Sequence, residues 1–422
     1  MNKKQLIAIK VSFLSLFFIS IYTHCFAYEQ VVYVWQRNWN SNVGDAVTSI
    51  SNTTGYFMVL CGDLRFKEGK PFINSININW DYLTQTETST TIAFRISTQA
   101  SKFLATSAIE SLANSVGDSI SKTIKSAPKN GIVGIQIDYD CPTSKLADYV
   151  KLIKLLKVRF QHLQLSFTAL PAWLDSPDFP ALAATSDYYV LQVHSFKIPS
   201  TLDEALKPFS GEAVSSWIKK ASLIGHPFYV SLPTYGYEVS FNENGKFLGL
   251  RAETQPVTYS PGTRHALVMT DYKKIQEFLS EIEKQNPKHL MGFCWFRLPL
   301  KTDEFNWSIE TLEMIIRHKI PQVSLKSEVV SLKPGLYEVY LVNNGQVNIF
   351  KDVQFKLSWD KDTTFIHDVL SGYREEGLGN EKGIKITGIP PKAGNKILVA
   401  WFRAERKDIN PLRIGEVEGY EK

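Results

Sequence analysis

Beyond its first twenty-seven residues the chain keeps repeating one pattern: a short apolar β-rich run, a loop, then a stretch with helical hydrophobic spacing. The runs are Val31–Trp35, Tyr56–Leu60, Thr91–Ile96, Ile132–Tyr139, Leu163–Leu170, Tyr188–Val193, Phe228–Leu232 and Met291–Phe296. Between them, Leu146, Val150, Ile153 and Leu156 predict one amphipathic helix, and Ile275, Phe278, Leu279 and Ile282 another. Near-continuous apolar strands alternating with helices predict a parallel sheet buried on both faces. Eight such units over about 290 residues have the size of an α/β (β/α)8 TIM barrel. A doubly wound open sheet is the competing arrangement, but no glycine-rich dinucleotide turn follows the first strand.

Past Ile320 the texture changes to short strands joined by turn signals such as Asn343-Asn344-Gly345. Leu336–Val342, Val347–Phe350, Phe355–Trp359, Ile384–Ile386 and Lys396–Arg403 predict a small all-β, sandwich-like domain over 321–422, leaving 28–320 to the barrel. Residues 1–27 read as a secretory signal: Lys3, Lys4 and Lys10, then the apolar run Val11 to Tyr22, then Ala27 ending a small-residue cleavage site. That run is too short to span a bilayer. The expectation is export to the periplasm or beyond, with no transmembrane anchor after cleavage.

The formal charge is +5, and removing the three leader lysines leaves about +2, too little for a nucleic-acid-binding surface. No histidine pair has zinc-site spacing, and neither a phosphate loop nor a nucleophile elbow is present, so no metal or cofactor is expected. Three cysteines follow the leader, Cys61, Cys141 and Cys294; a Cys61–Cys141 bridge is one option, and Cys294 reads as a small core residue.

Barrel enzymes place their chemistry at the C-terminal ends of the strands. Those ends supply Trp35, Arg37 and Trp39 on the first strand, Asp63 and Arg65 after the second, and Arg95 on the third. In the fourth, Gln136, Asp138 and Asp140 alternate with Ile135, Ile137 and Tyr139. Alternation puts the polar three on one face, which must point into the barrel because unpaired carboxylates are costly against an apolar helix layer. Two adjacent aspartates resist joint ionisation, so one keeps a proton, as a glycosidase acid requires. The alternative is a structural ion pair, Asp138 or Asp140 with Arg95 or Arg297.

Gly134 to Asp140 resembles the strand-four signature of the family-18 glycoside hydrolases, the chitinase group, with pattern D-G-x-D-x-D-x-E. Thr168-Ala169-Leu170-Pro171, Asp187-Tyr188-Tyr189, Leu232-Pro233-Thr234-Tyr235-Gly236 and Gly292-Phe293-Cys294-Trp295 are similar to the later strands in order, and Asn244-Gly245 suggests a hairpin insertion after the seventh. The phrases Ile135 to Pro142 and Thr168 to Leu174 resemble, more closely still, a family of exported bacterial proteins of unknown function. The resemblance implies Asp140 as the acid, Asp138 as its electrostatic partner, and Tyr235 and Trp295 as walls of a sugar site. The sixth-strand M-x-Y-D reads Gln192-Val193-His194-Ser195, so Gln192 and His194 would replace the missing tyrosine and aspartate; Val133 and Gln136 replace two signature carboxylates, and Asp140 replaces glutamate. An acetamido-assisted mechanism therefore does not carry over, and Asp63 is the candidate second carboxylate. Arg95 and Arg297 either meet an anionic sugar or neutralise the aspartates, the latter being the simpler reading. Trp35 either stacks on a sugar or packs beneath a loop.

The expectation is thus a glycoside hydrolase-like protein acting on a polysaccharide, oligosaccharide or envelope glycan. A non-catalytic glycan- or partner-binding barrel and a structural envelope protein are its rivals.

Overall fold

The computed structural model describes residues 28–422 apart from 69, 105–107, 129–130, 195–200, 202–208, 253–258, 380–381, 405–411 and 421–422; residues 1–27, read above as a secretory signal, lie outside the described residues. Its first twelve strands are β1 (Glu29–Val34), β2 (Tyr56–Lys67), β3 (Lys70–Ser75), β4 (Ser89–Ile96), β5 (Ile132–Tyr139), β6 (Gln164–Ala169), β7 (Tyr188–Gln192), β8 (Phe228–Pro233), β9 (Tyr237–Phe241), β10 (Phe247–Arg251), β11 (Arg264–Val268) and β12 (Leu290–Phe296). Eight of these pair in parallel in the order β1-β12-β8-β7-β6-β5-β4-β2, and β1 pairs again with β2 to close the barrel. All eight predicted barrel strands are present. β3 returns antiparallel on β2, and β9, β10 and β11 form the hairpin insertion signalled by Asn244-Gly245.

Strand alternation separates two apolar environments. Outward residues such as Val32, Ile92, Ile135, Phe167, Leu191 and Val230 pack under the helices. Inward residues, among them Tyr33, Met58, Ala93, Val190, Tyr229 and Cys294, fill the barrel. The predicted helices form as Leu146–Arg159 and Tyr272–Gln285. The second starts where the Asp271 side chain accepts the Lys273 N–H and stops at Asn286, whose left-handed backbone ends the ladder. It buries Ile275, Phe278, Leu279 and Ile282, the four residues whose spacing predicted it.

Closure depends on a close approach. Gly292 faces Glu29 across the β1–β12 seam, and a Cβ at Gly292 would lie 2.0 Å from the Glu29 carbonyl oxygen. Gly292→Ala is expected to destabilise the barrel by about 1–3 kcal/mol, because backbone rather than a flexible side chain must move. Urea unfolding of the variant beside wild type checks this.

From Leu325 the chain forms β13 (Leu325–Lys333), β14 (Leu336–Asn343), β15 (Val353–Ser358), β16 (Phe365–Val369), β17 (Arg374–Gly377), β18 (Gly383–Gly388), β19 (Lys396–Ala404) and β20 (Arg413–Ile414). They make two four-stranded antiparallel sheets, β13-β14-β19-β16 and β17-β18-β15-β20, around one apolar core. The predicted strand Val347–Phe350 is a loop. Its polar groups are taken elsewhere: Asn343 Nδ2 donates to the Val347 carbonyl, and Asn348 donates to Asn306 O in the barrel while accepting from Ala393 N. No helix among the described residues is long and apolar enough to cross a membrane.

Candidate functional site

Three neighbouring strands carry a row of charges at their C-terminal ends. Asp63 on β2 is level with Arg95 on β4, which is level with Asp138 on β5. A register shift between Leu60 and Gly62 creates this row. Below it Met58 and Leu60 point inward; the extra residue moves the inward parity to Asp63 and Arg65 and turns Leu64 toward the helices. Asp63, Arg65, Phe66, Arg95, Asp138 and Asp140 line one cleft of about 380 Å³.

Asp138 is only 8% exposed. The Thr168 hydroxyl donates to its Oδ1 at 2.8 Å and the Gln192 amide donates to the same oxygen at 3.1 Å, while Arg95 Nε stands 3.9 Å from Oδ2. Burial, helped by the charge of Asp140, pushes its pKa up to about 6, despite the donors and Arg95 pulling the other way. Asp140, one step beyond the strand, is exposed. Asp63 accepts Arg37 Nη2 at 3.1 Å and lies 3.7 Å from Arg65.

The opposite half of the mouth is aromatic. Phe296, at the end of β12, meets Trp35 at a centroid distance of 5.4 Å, Tyr33 at 5.6 Å and Tyr235 at 6.0 Å, and stacks on the His194 ring at 5.0 Å. Tyr235 and His194 are joined through the hydroxyl and Nδ1 at 3.3 Å. Burial pushes the His194 pKa down to about 4, so the ring is neutral in neutral solution, and its Nε2 is buried without a hydrogen-bond partner among the described residues. The cleft is lined from β2, β4 and β5, whereas the rings after β1, β7 and β8 pack around Phe296, with Trp35 and Tyr235 buried and Phe296 and His194 half-buried.

The structure brings Asp138, Asp140, Arg95, Asp63 and Gln192 together; Trp35 and Tyr235 are buried and, with His194, pack on Phe296 without lining that cleft, so Trp35 packs rather than offering a face to a sugar. Three expectations change. Trp295 is fully buried in the helix layer, its Nε1 donating to Gln30 Oε1 at 2.8 Å, because it has outward parity on β12; Phe296 takes the inward place expected of it. Arg297 reaches neither aspartate of β5, since Asp303 holds it at 3.0 Å. Gln136 does point inward, but it lies one inward step below Asp138, fully buried, accepting from the Tyr33 hydroxyl at 2.7 Å. It supports the site from beneath and does not touch the cleft. Cys61 and Cys141 are both buried as free thiols. Phe296 and Thr168 are the contributors that sequence reasoning passed over. Inward parity along β12 and β6 points to both.

The fold is a closed (β/α)8 barrel like that of chitinase-type solved structures. The family described as "Domain of unknown function (DUF3142)" matches residues 91–301, half of the chain, and this protein belongs to that family. No curated protein matches the sequence. Among solved structures, the spore cortex-lytic enzyme SleL of Bacillus megaterium QM B1551 is similar with a TM-score of 0.52 and 13% identity, over 69% of this chain and 74% of that one. A chitinase from Chromobacterium violaceum ATCC 12472 is similar with a TM-score of 0.51 and 12% identity, over 69% of this chain and 98% of that one. At such identities the likeness establishes the scaffold.

Proposed function

We propose that this is an exported carbohydrate-active protein, periplasmic or secreted, that hydrolyses a glycosidic bond in a polysaccharide or envelope glycan. The observation that carries the reading is the Asp138–Asp140 pair, on one face at the end of β5, opening on the 380 Å³ cleft. Below about pH 6 the pair holds a proton that burial and mutual repulsion keep in place. The proton passes from Asp138 to Asp140, the exposed member, and on to the glycosidic oxygen as the C–O bond breaks and a water adds to the anomeric carbon; Asp138, anchored by Thr168 and Gln192, is left ionised beside it. The chitinase-like scaffold of the solved relatives supports a glycan as the substrate, and the leader-like sequence of residues 1–27 supports export.

One observation favours a second reading, a barrel that binds glycan without cleaving it. Both donors to Asp138 converge on one oxygen, which holds the carboxyl in place, and the acid at the strand end is an aspartate, shorter than the glutamate of the chitinase pattern. Product release from a panel of polysaccharides and peptidoglycan, with binding to the same panel, separates the two. Hydrolysis requires product from wild type and none from folded Asp140→Asn. Binding by both proteins with product from neither gives the second reading, and absence of both binding and product overturns the glycan assignment.

A further inference from the structure

Two arginines on the cleft wall make no hydrogen bond to any of the described residues. Arg65 is 56% exposed in its side chain and its nearest carboxylate is Asp63 at 3.7 Å; Arg95 is 51% exposed and its nearest is Asp138 at 3.9 Å. Neither guanidinium donates to any described residue within hydrogen-bond distance, although each carries five N–H groups in a fixed fork. Structural arginines in this molecule look different. Arg37 reaches Asp63 through two nitrogens, and Arg297 and Arg251 make ion pairs of 3.0 and 3.1 Å with side chains that are 16% and 17% exposed. Arg95 acts on Asp138 through charge alone, at 3.9 Å and without a hydrogen bond, so its N–H groups are not spent on that carboxylate. Asp63 already has Arg37, so Arg65 is surplus to its charge.

Both forks open on the same cleft, on the β2–β4 side, and the aspartate pair lies along β5. We infer that the cleft takes an acidic saccharide, whose carboxylate is held between Arg65 and Arg95 while its glycosidic bond lies over the β5 aspartates. The inference rests on the proposed glycan reading and assigns its substrate class. Guanidinium forks match the planar geometry of a carboxylate with two parallel N–H bonds, and a neutral hydroxyl draws far less from them. On the β2–β4 side Arg37, Arg65 and Arg95 stand against the single carboxylate of Asp63, which leaves that side a cationic surplus for an anionic group.

The test uses matched pairs of glycans and the full chain. Oligogalacturonide, hyaluronan fragments and soluble peptidoglycan strands are each compared by calorimetry with their carboxyl-reduced forms, and a sulfated neutral oligosaccharide is run beside them. At least one carboxylated glycan is expected to bind about tenfold or more tightly than its reduced form, the value of one charge-assisted bidentate contact. Arg65→Gln and Arg95→Gln, each checked for an unchanged melting curve, are expected to bring that glycan down to the affinity of the reduced form. Equal binding within every pair overturns the inference and leaves the glycan reading standing. No binding within any pair overturns both. Binding of the sulfated sugar as tight as that of the acidic one, lost in the same variants, overturns the carboxylate assignment in favour of a general anion site.

Discussion

Asp138→Asn is expected to stabilise the folded protein at pH 8 and to leave it almost unchanged at pH 4. The folded carboxyl titrates at about 6 against 3.8 for an ordinary aspartate. Between those values the native state binds a proton that the unfolded chain has released. Stability linked to this group is therefore fully present below about pH 4, falls as pH rises, and is gone above about pH 6. A shift of about two units corresponds to a penalty on the order of 3 kcal/mol for carrying the buried charge. Asparagine keeps an oxygen that accepts from Thr168 and Gln192 but never ionises, so the penalty disappears. Thermal unfolding of both proteins at pH 4, 6 and 8 checks this. Carboxylates remote from Asp138 cancel in the difference between the two proteins, whereas Asp140, whose charge raises the Asp138 pKa, is relieved of that repulsion in the variant. Curves that stay parallel from pH 4 to 8 would show that Asp138 has no raised pKa. In the proposed mechanism the same substitution removes the charge beside Asp140, so a gain in stability accompanies a loss of turnover, the usual exchange at a site that keeps an ionisable group out of water.

The barrel was legible in the sequence because parallel strands covered on both faces must be apolar throughout, and helices between them must show a helical stripe. Gln136, Asp138 and Asp140 were legible for the complementary reason: three polar residues at period two inside an apolar strand have only the barrel axis to face. What sequence could not convey was register. The bulge after Leu60 decides that Asp63 and Arg65 look inward, and it arises from the pairing of β2 with β4. Arg65 stood among the strand-end residues, but nothing in its neighbours told whether its charge was already used. Trp295 was misplaced by analogy with a motif, where parity from Cys294, an inward residue, would have put Phe296 at the mouth. Val347–Phe350 looked like a strand by composition, yet Asn343 and Asn348 fold it against the barrel. Edge strands such as β17, all four residues exposed, carry no apolar pattern to read.

The two neighbouring aromatic residues of β12 separate structure from function most sharply. Trp295→Ala is expected to cost about 3–5 kcal/mol of stability, as large-to-small changes at buried tryptophans do. The indole is inaccessible, packs against Trp307 at 6.2 Å and lies level with Val32 on β1 and Leu232 on β8, so its removal leaves a cavity across the closing seam. It also strips Gln30 Oε1 of its donor. Phe296→Ala, one residue on, removes a half-buried ring from the mouth. Surrounding rings and water can share the vacated space, so its loss of stability is expected to be smaller, while glycan affinity falls because the apolar half of the site has lost its centre. Urea unfolding combined with glycan binding distinguishes the pair. Trp295→Ala should shift the unfolding midpoint strongly and leave the affinity of the folded fraction unchanged; Phe296→Ala should shift the midpoint less and lower the affinity. If instead Trp295→Ala lost affinity at unchanged stability, the inward and outward parity of β12 would be the opposite of that described, and the aromatic cluster on Phe296 would have to be rebuilt around the tryptophan.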